Sequence, residues 1–203
     1  MAEARGVFDA LEYPDVVSWN AIVLGYAENG DGSSALELFS RMGSSPNERS
    51  FVAALKACSS IAAMDDARKV EALEMGVWIH WRASMAGCCD SNVFVSNSLV
   101  DMYAKCGSIV EARRIFDGME VPSVVSWNAL LLGFAENGQE EQAVAYFAKM
   151  VHDDDHSTMK ACRPDSRTFA ALAKACSNLA IKEGGEEIHG RTVKLESLRK
   201  VRL

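Results

Sequence analysis

The chain has 203 residues, 49% of them apolar and 24% charged, and a net charge of -7. That apolar share is enough for a real core and excludes wholesale disorder. The acidic balance excludes a protein that grips nucleic acid through a general basic surface, and no apolar run is long enough to span a membrane. The opening residues, "MAEARGVFDALEYP", carry acid and no apolar or Arg/Ser-rich leader, so they read as lacking a targeting peptide. The six cysteines (Cys58, Cys88, Cys89, Cys106, Cys162, Cys176) form no C-x-x-C pair. They read as reduced, mostly buried thiols rather than a disulfide scaffold.

In chain order, "EARGVFDALEYPD" (Glu3–Asp15) ends on a proline followed by an acid. Proline precedes a helix and Asp caps one, so a new helix is expected from Val16. In "VVSWNAIVLGYAENG", Val16, Trp19, Ile22, Val23 and Tyr26 recur at three and four, and Asn29-Gly30 ends the run. Ala35, Leu36, Leu38, Phe39 and Met42 give a second apolar face. Pro46-Asn47 opens the next helix, which contains "FVAALKACSSIA"; about ten extra residues around "ARKVEALEMG" then predict a lengthened or broken second helix. "CCDSN" supplies a cap at Asn92 without a proline.

The segment from Val93 repeats the two-helix pattern, with Leu99, Val100 and Tyr103, a stop at "KCG", then Ile109, Ala112, Ile115, Phe116 and Met119. Pro122-Ser123 opens "VVSWNALLLGFAENG", a near copy of the stretch at Val16. "EARRIFDGMEVPS" likewise copies Glu3–Asp15, and "FAALAKACSNLA" at Phe169 copies Phe51 onward. "VHDDDHSTMKAC" reads as a loop before Pro164-Asp165, and "KLESLRKVRL" as a fraying end. The chain is therefore a little under two copies of one long unit built from helix pairs. Its modules are a partial one at 1–15, then 16–47, 48–92, 93–123 and 124–165, and an incomplete one at 166–203. Strands are not favoured, since strict alternation never lasts. A lone helix pair leaves its apolar side open, so stacking into a right-handed all-α solenoid is the expected fold.

"VVSWNAxxxGxAENG", "VFVSNSLVDMYAKCGSIVEARRIFDGM" and "RTFAALAKACSNLA" resemble the modules of land-plant pentatricopeptide repeat (PPR) proteins of the PLS subclass. On that resemblance 16–47 and 124–165 match the P module, 48–92 and 166–203 the L module, and 93–123 the S module, with 1–15 the end of another S module. The resemblance implies sequence-specific binding of single-stranded organellar RNA, one base per module, to direct RNA editing or processing in a mitochondrion or chloroplast. It implies no role for DNA or a membrane.

The residues themselves point to a site. The fifth residue of each first helix and the last residue of each module pair as Asn20 with Asn47, Val52 with Asn92, Asn97 with Ser123, and Asn128 with Asp165. An amide offers a donor and an acceptor side by side, which suits the Watson–Crick edge of an unstacked base. Capping alone accounts for Asn47, Asn92, Ser123 and Asp165, as it does for Asp15. It does not account for Asn20, Asn97 and Asn128, because Asn inside a helix competes with the backbone for hydrogen bonds. Val52 and Ala170 hold the fifth position in the L modules and read nothing.

Val17, Phe94 and Val125 precede those asparagines by one turn on the same face. They are candidate platforms for base planes, Phe94 above all, or else ordinary helix contacts. Trp19 and Trp127 read as core. By the family's pairing rules the resemblance implies a pyrimidine, preferably C, at Asn20/Asn47, C at Asn97/Ser123 and U at Asn128/Asp165, hence a pyrimidine-preferring site near 5'-C-N-C-U-3'.

No chemistry of the chain's own is expected. The zinc-deaminase pattern H-x-E with P-C-x-x-C is absent, as are phosphate loops and zinc spacing. The run His152, Asp153, Asp154, Asp155, His156 reads as a solvated loop rather than a metal site. The expectation is a binding module that is not an enzyme and uses no cofactor, with any deaminase or editing factor acting in trans. A protein-binding helical scaffold and a truncated, inactive repeat copy stay open beside it.

Overall fold

The computed structural model describes residues 1–42, 46–152 and 162–180. Every regular element among them is helical: α1 (Ala2–Asp9), α2 (Val16–Glu28), α3 (Gly32–Arg41), α4 (Glu48–Met64), α5 (Lys69–Met85), α6 (Cys88–Ser91), α7 (Val93–Lys105), α8 (Ile109–Asp117), α9 (Val124–Glu136) and α10 (Glu140–His152), then α11 over 166–180. A short 3-10 turn, Asp66–Arg68, leads into α5.

The helix starts follow the caps. Asp15, Asn47, Ser123 and Asp165 each accept the backbone N–H three residues on, and Asn92 accepts that of Phe94. Each such bond satisfies an otherwise orphaned donor and stabilises its helix by ~1 kcal/mol. Three first helices stop at glycines in the left-handed region, Gly30 (φ 82), Gly107 (φ 85) and Gly138 (φ 72), where a Cβ would be strained.

Helices α2, α4, α7 and α9 pack each against the next as one row, while α3, α5, α8 and α10 back them. α11 extends the row beyond α9, with Asn178 Nδ2 donating to the Ala135 carbonyl at 3.2 Å. The core lies between the two layers, where Phe39, Phe51, Phe134, Leu55, Leu99 and Leu130 are essentially closed to water. Gly133 lets α9 approach α7: a Cβ there would stand 2.7 Å from that of Ala104.

The internal repeat is also a repeat of contacts. Trp19 meets Phe8 edge-on at 4.7 Å between ring centroids, and Trp127 meets Phe116 edge-on at 4.6 Å. Each tryptophan locks a first helix to the second helix before it. Trp127 is buried and also contacts Tyr146, while Trp19 is half-buried.

The extra residues around Val70 lengthen a helix rather than break it. α5 has 17 residues, against 10 in α3 and 9 in α8. Among the cysteines, Cys58, Cys88 and Cys106 are buried, Cys89 and Cys162 half-buried and Cys176 exposed, all as free thiols. Burial pushes Cys58 up to about 12 and Cys106 to about 11, so both are inert packing groups at neutral pH. The acidic run Asp153 to His156 and the terminal "KLESLRKVRL" lie outside the described residues.

Candidate functional site

Each asparagine singled out from the sequence lies against the cap of the next first helix, and a third residue joins them. Asn20 Nδ2 donates to Asn47 Oδ1 at 3.1 Å, and Ser50 Oγ donates to Asn20 Oδ1 at 2.6 Å. Asn97 Nδ2 donates to Ser123 Oγ at 3.4 Å, and Ser126 Oγ donates to Asn97 Oδ1. Asn128 Nδ2 donates to Asp165 Oδ1 at 2.9 Å, and Thr168 Oγ1 donates to Asn128 Oδ1 at 2.6 Å.

The third residue is the same at each junction, a hydroxyl three positions after the cap. Ser50, Ser126 and Thr168 are all buried. Each hydroxyl also accepts the backbone N–H of its cap residue. Its single proton has two acceptors in reach, the amide oxygen and the cap side-chain oxygen (Asn47 Oδ1 at 3.1 Å, Ser123 Oγ at 3.0 Å, Asp165 Oδ1 at 3.1 Å). The amide oxygen is the nearer at all three junctions, which holds the amide in one orientation. Among the described residues, one N–H and one oxygen lone pair of each Asn remain uncommitted, a donor and an acceptor side by side.

The three caps differ in what they add. Asn47 has an amide N–H₂ to offer, Ser123 only a hydroxyl, and Asp165 a carboxylate. Asp165 Oδ1 accepts from Thr168 N, Arg167 N and Asn128 Nδ2. The backbone bond from Thr168, then the one from Asn128, hold its carboxyl below the usual carboxylate range, so it is ionised at neutral pH.

The fourth junction lacks the whole arrangement. Val52 stands where the amide would be, Val95 where the hydroxyl would be, and Asn92 acts as a cap, accepting from Phe94 N at 2.9 Å. Amide and hydroxyl are present together or absent together.

An open groove of about 1210 Å³ runs along the row of first helices and is lined by residues of α2, α4, α7, α9 and α11, among them Asn97, Asn128, Asp165 and Val125. Val17, Phe94 and Val125 are exposed, at 66%, 70% and 52%. They pack little within the chain, so contact between neighbouring helices does not account for them. Charged pairs link neighbouring first helices at two junctions, Lys56 with Glu28 at 2.6 Å and Lys174 with Glu136 at 2.8 Å, and Glu28, Lys56 and Lys174 line the groove. Sequence reasoning missed the three hydroxyls and the charged pairs. The hydroxyls were signalled, since "PNERS", "PSVVS" and "PDSRT" each place Ser or Thr three residues after the cap.

A model of the PPR repeat matches residues 17–45, 94–121 and 125–154. The chain carries pentatricopeptide repeats. A mitochondrial pentatricopeptide repeat-containing protein of Arabidopsis thaliana is 38% identical over 187 residues, covering 92% of this chain and 27% of that protein. A chloroplastic one from the same plant is 36% identical over 193 residues, covering 95% of this chain and 22% of its own length. The chain spans 22–29% of the length of the curated relatives it matches.

Among solved structures, the pentatricopeptide repeat protein PPR10, in complex with an 18-nt psaJ RNA element, superposes with a TM-score of 0.65 at 22% identity, over 87% of this chain and 26% of that one. Nuclear proteinaceous RNase P 2 of A. thaliana superposes with a TM-score of 0.54 at 18% identity, over 82% of this chain and 35% of that one. These likenesses concern the fold, an α-solenoid of pentatricopeptide repeats.

Proposed function

We propose that this repeat array binds single-stranded RNA in a sequence-dependent way, with one base opposite each of Asn20, Asn97 and Asn128. The observation that carries the reading is the network of amide, cap and buried hydroxyl repeated at three junctions, two of whose amides, Asn97 and Asn128, line one groove. A helix gains nothing from holding an interior asparagine so firmly, whereas a base edge needs a donor and an acceptor in fixed orientation. Asn47, Ser123 and Asp165 then tune which base fits. Val17, Phe94 and Val125, apolar and exposed one turn earlier, flank base planes.

The module division at 16–47, 48–92, 93–123, 124–165 and 166–203, with P, L, S, P and L character, belongs to this proposal, as does the pyrimidine-preferring site near 5'-C-N-C-U-3'. So does a role in organellar RNA editing or processing, with the chemistry supplied by a deaminase or editing factor in trans. Names of relatives as mitochondrial or chloroplastic proteins support an organelle as the site of action.

Each good contact to a base is worth ~1–3 kcal/mol. Three such contacts with little basic surface give micromolar or weaker affinity, on the order of 10⁻⁶ M or above. The test is selection from randomised RNA, comparing the chain with its Asn20→Ala, Asn97→Ala, Asn128→Ala triple variant. The expected outcome is a pyrimidine-rich consensus that the variant fails to recover. Equal binding of purine-substituted oligonucleotides would remove the reading.

A further inference from the structure

The second residue of each first helix divides the helices into two kinds. Where the fifth residue is Asn, the second is apolar: Val17, Phe94 and Val125. Where the fifth residue is apolar (Val52 in α4, Ala170 in α11), the second is arginine: Arg49 and Arg167. Second and fifth residues lie on one helical face, so each first helix presents either an apolar platform with an amide or a guanidinium with an apolar patch.

Both arginines are exposed, and Arg167 lines the groove together with Asn128 and Ala170. Among the described residues neither guanidinium has an ion-pair or hydrogen-bond partner; the bond that Arg167 makes to Asp165 comes from its backbone N–H. The lysines of the same two helices differ. Lys56 and Lys174 are held by Glu28 and Glu136, so their charge is neutralised locally. In a chain of net charge -7, Arg167 on the groove and Arg49 at the equivalent position of α4, one turn before the groove-lining Val52, are positive charges without a carboxylate partner among the described residues, both on helices without a base-reading amide.

We propose that Arg49 and Arg167 hold the phosphodiester backbone of the bound strand as it passes the two helices that read no base. The inference rests on the RNA-binding reading above and adds a second kind of contact to it. One backbone-holding helix, α4, stands between α2 and α7, and the other, α11, follows the edge-reading pair α7 and α9, so the array gains affinity from its L-type helices without gaining sequence information there. A guanidinium is suited to this, since its planar fork matches phosphate oxygens in pairs.

The test measures dissociation constants against salt concentration for the full chain, for R49Q/R167Q and for R49K/R167K. Each is run on the selected RNA and on its purine-substituted counterpart. Both side chains are exposed, so the substitutions leave the fold in place. A phosphate contact on single-stranded nucleic acid contributes about 0.7 to the slope of log K against log salt. The glutamine variant is expected to weaken both RNAs by the same factor and to lower that slope by about 1.4. The lysine variant, which keeps the charge, is expected to keep the slope. An unchanged slope in R49Q/R167Q, or a loss confined to one RNA, overturns the inference while leaving base reading intact. Loss of sequence preference in the native chain with the arginine-dependent slope retained removes base reading instead and leaves the backbone contacts standing.

Discussion

Ser50 donates its hydroxyl proton to Asn20 Oδ1 at 2.6 Å, joining residues 30 apart in sequence from two neighbouring first helices. Ser50 is 1% exposed, so water has little access to replace its hydroxyl. The same relationship recurs between Ser126 and Asn97 and between Thr168 and Asn128. It makes the orientation of each amide a property of the junction rather than of the asparagine alone.

Removing one hydroxyl therefore has two consequences. Ser126→Ala takes away the donor to Asn97 and half of the reciprocal cap formed with Ser123. Leaving the acceptor unsatisfied and weakening the cap is expected to cost about 1–2 kcal/mol, read as a lowered urea midpoint. Base preference at the Asn97 position should relax in the same variant, while preference at Asn20 and Asn128 stays. Thr168→Ser, which keeps the hydroxyl, should retain preference at Asn128.

Most of the fold was legible in the sequence because local signals agreed. Proline with a capping residue marked the starts of α2, α4, α9 and α11, and Asn29-Gly30 and Asn137-Gly138 marked two stops. Copied positions then copied contacts, as in the pairs Phe8–Trp19 and Phe116–Trp127. The candidate site was legible by half. The amides announced themselves as helix-interior asparagines, but Ser50 and Ser126 lay in serine-containing cap patterns that ordinary capping explains, and Arg49 and Arg167 looked like ordinary surface charge. Their meaning depends on which residues face one another between neighbouring helices. A single helix read by periodicity carries no record of that.

The fourth junction offers a gain-of-structure test. Val95 is fully buried and Val52 partly so. Val95→Ser alone buries a hydroxyl without its partner, and Val52→Asn alone buries part of an amide without its donor; each is expected to cost about 1–3 kcal/mol. Together they rebuild the pair found at the other three junctions. The double variant should be more stable than the sum of the singles by roughly 0.5–3 kcal/mol in a double-mutant cycle. Strict additivity would mean that the hydroxyl–amide pair needs more than these two residues.

Two glycines should respond to alanine with opposite signs. A Cβ at Gly32 would lie 2.6 Å from the Ala57 carbonyl oxygen and 2.6 Å from Ile61 Cγ1, so α3 would have to move off α4. Overpacking of this kind typically costs 1–3 kcal/mol. A Cβ at Gly6 meets nothing within 4 Å, and Gly6 lies inside α1, where alanine is the better helix former by roughly 0.5–1 kcal/mol. Thermal melts should show Gly32→Ala falling and Gly6→Ala rising.

His80 gives the fold a pH dependence near neutrality. Its Nδ1 lies 2.9 Å from the Tyr103 hydroxyl, and the two rings meet edge-on at 5.7 Å. Burial holds the imidazole below its ordinary value of 6.5, with Glu111 pulling weakly upward and Arg114 pushing down. Burial also pushes the Tyr103 phenol up to about 12, so it stays protonated at neutral pH, and the His80 tautomer sets which of the two donates. The sign follows from proton counts. Below the ordinary imidazole value the unfolded chain takes up a proton that the folded chain refuses, so stability rises with pH across that interval and falls as the solution is acidified through it. The lowered carboxyls of Asp15 and Asp165 act in the same direction, but only once pH drops into the carboxylate range, well below the histidine window. Urea titrations at pH about 7.5 and about 5.5 should therefore show the native chain less stable in acid, with most of the difference gone in His80→Gln. The same loss in the variant as in the native chain would assign the dependence to other groups.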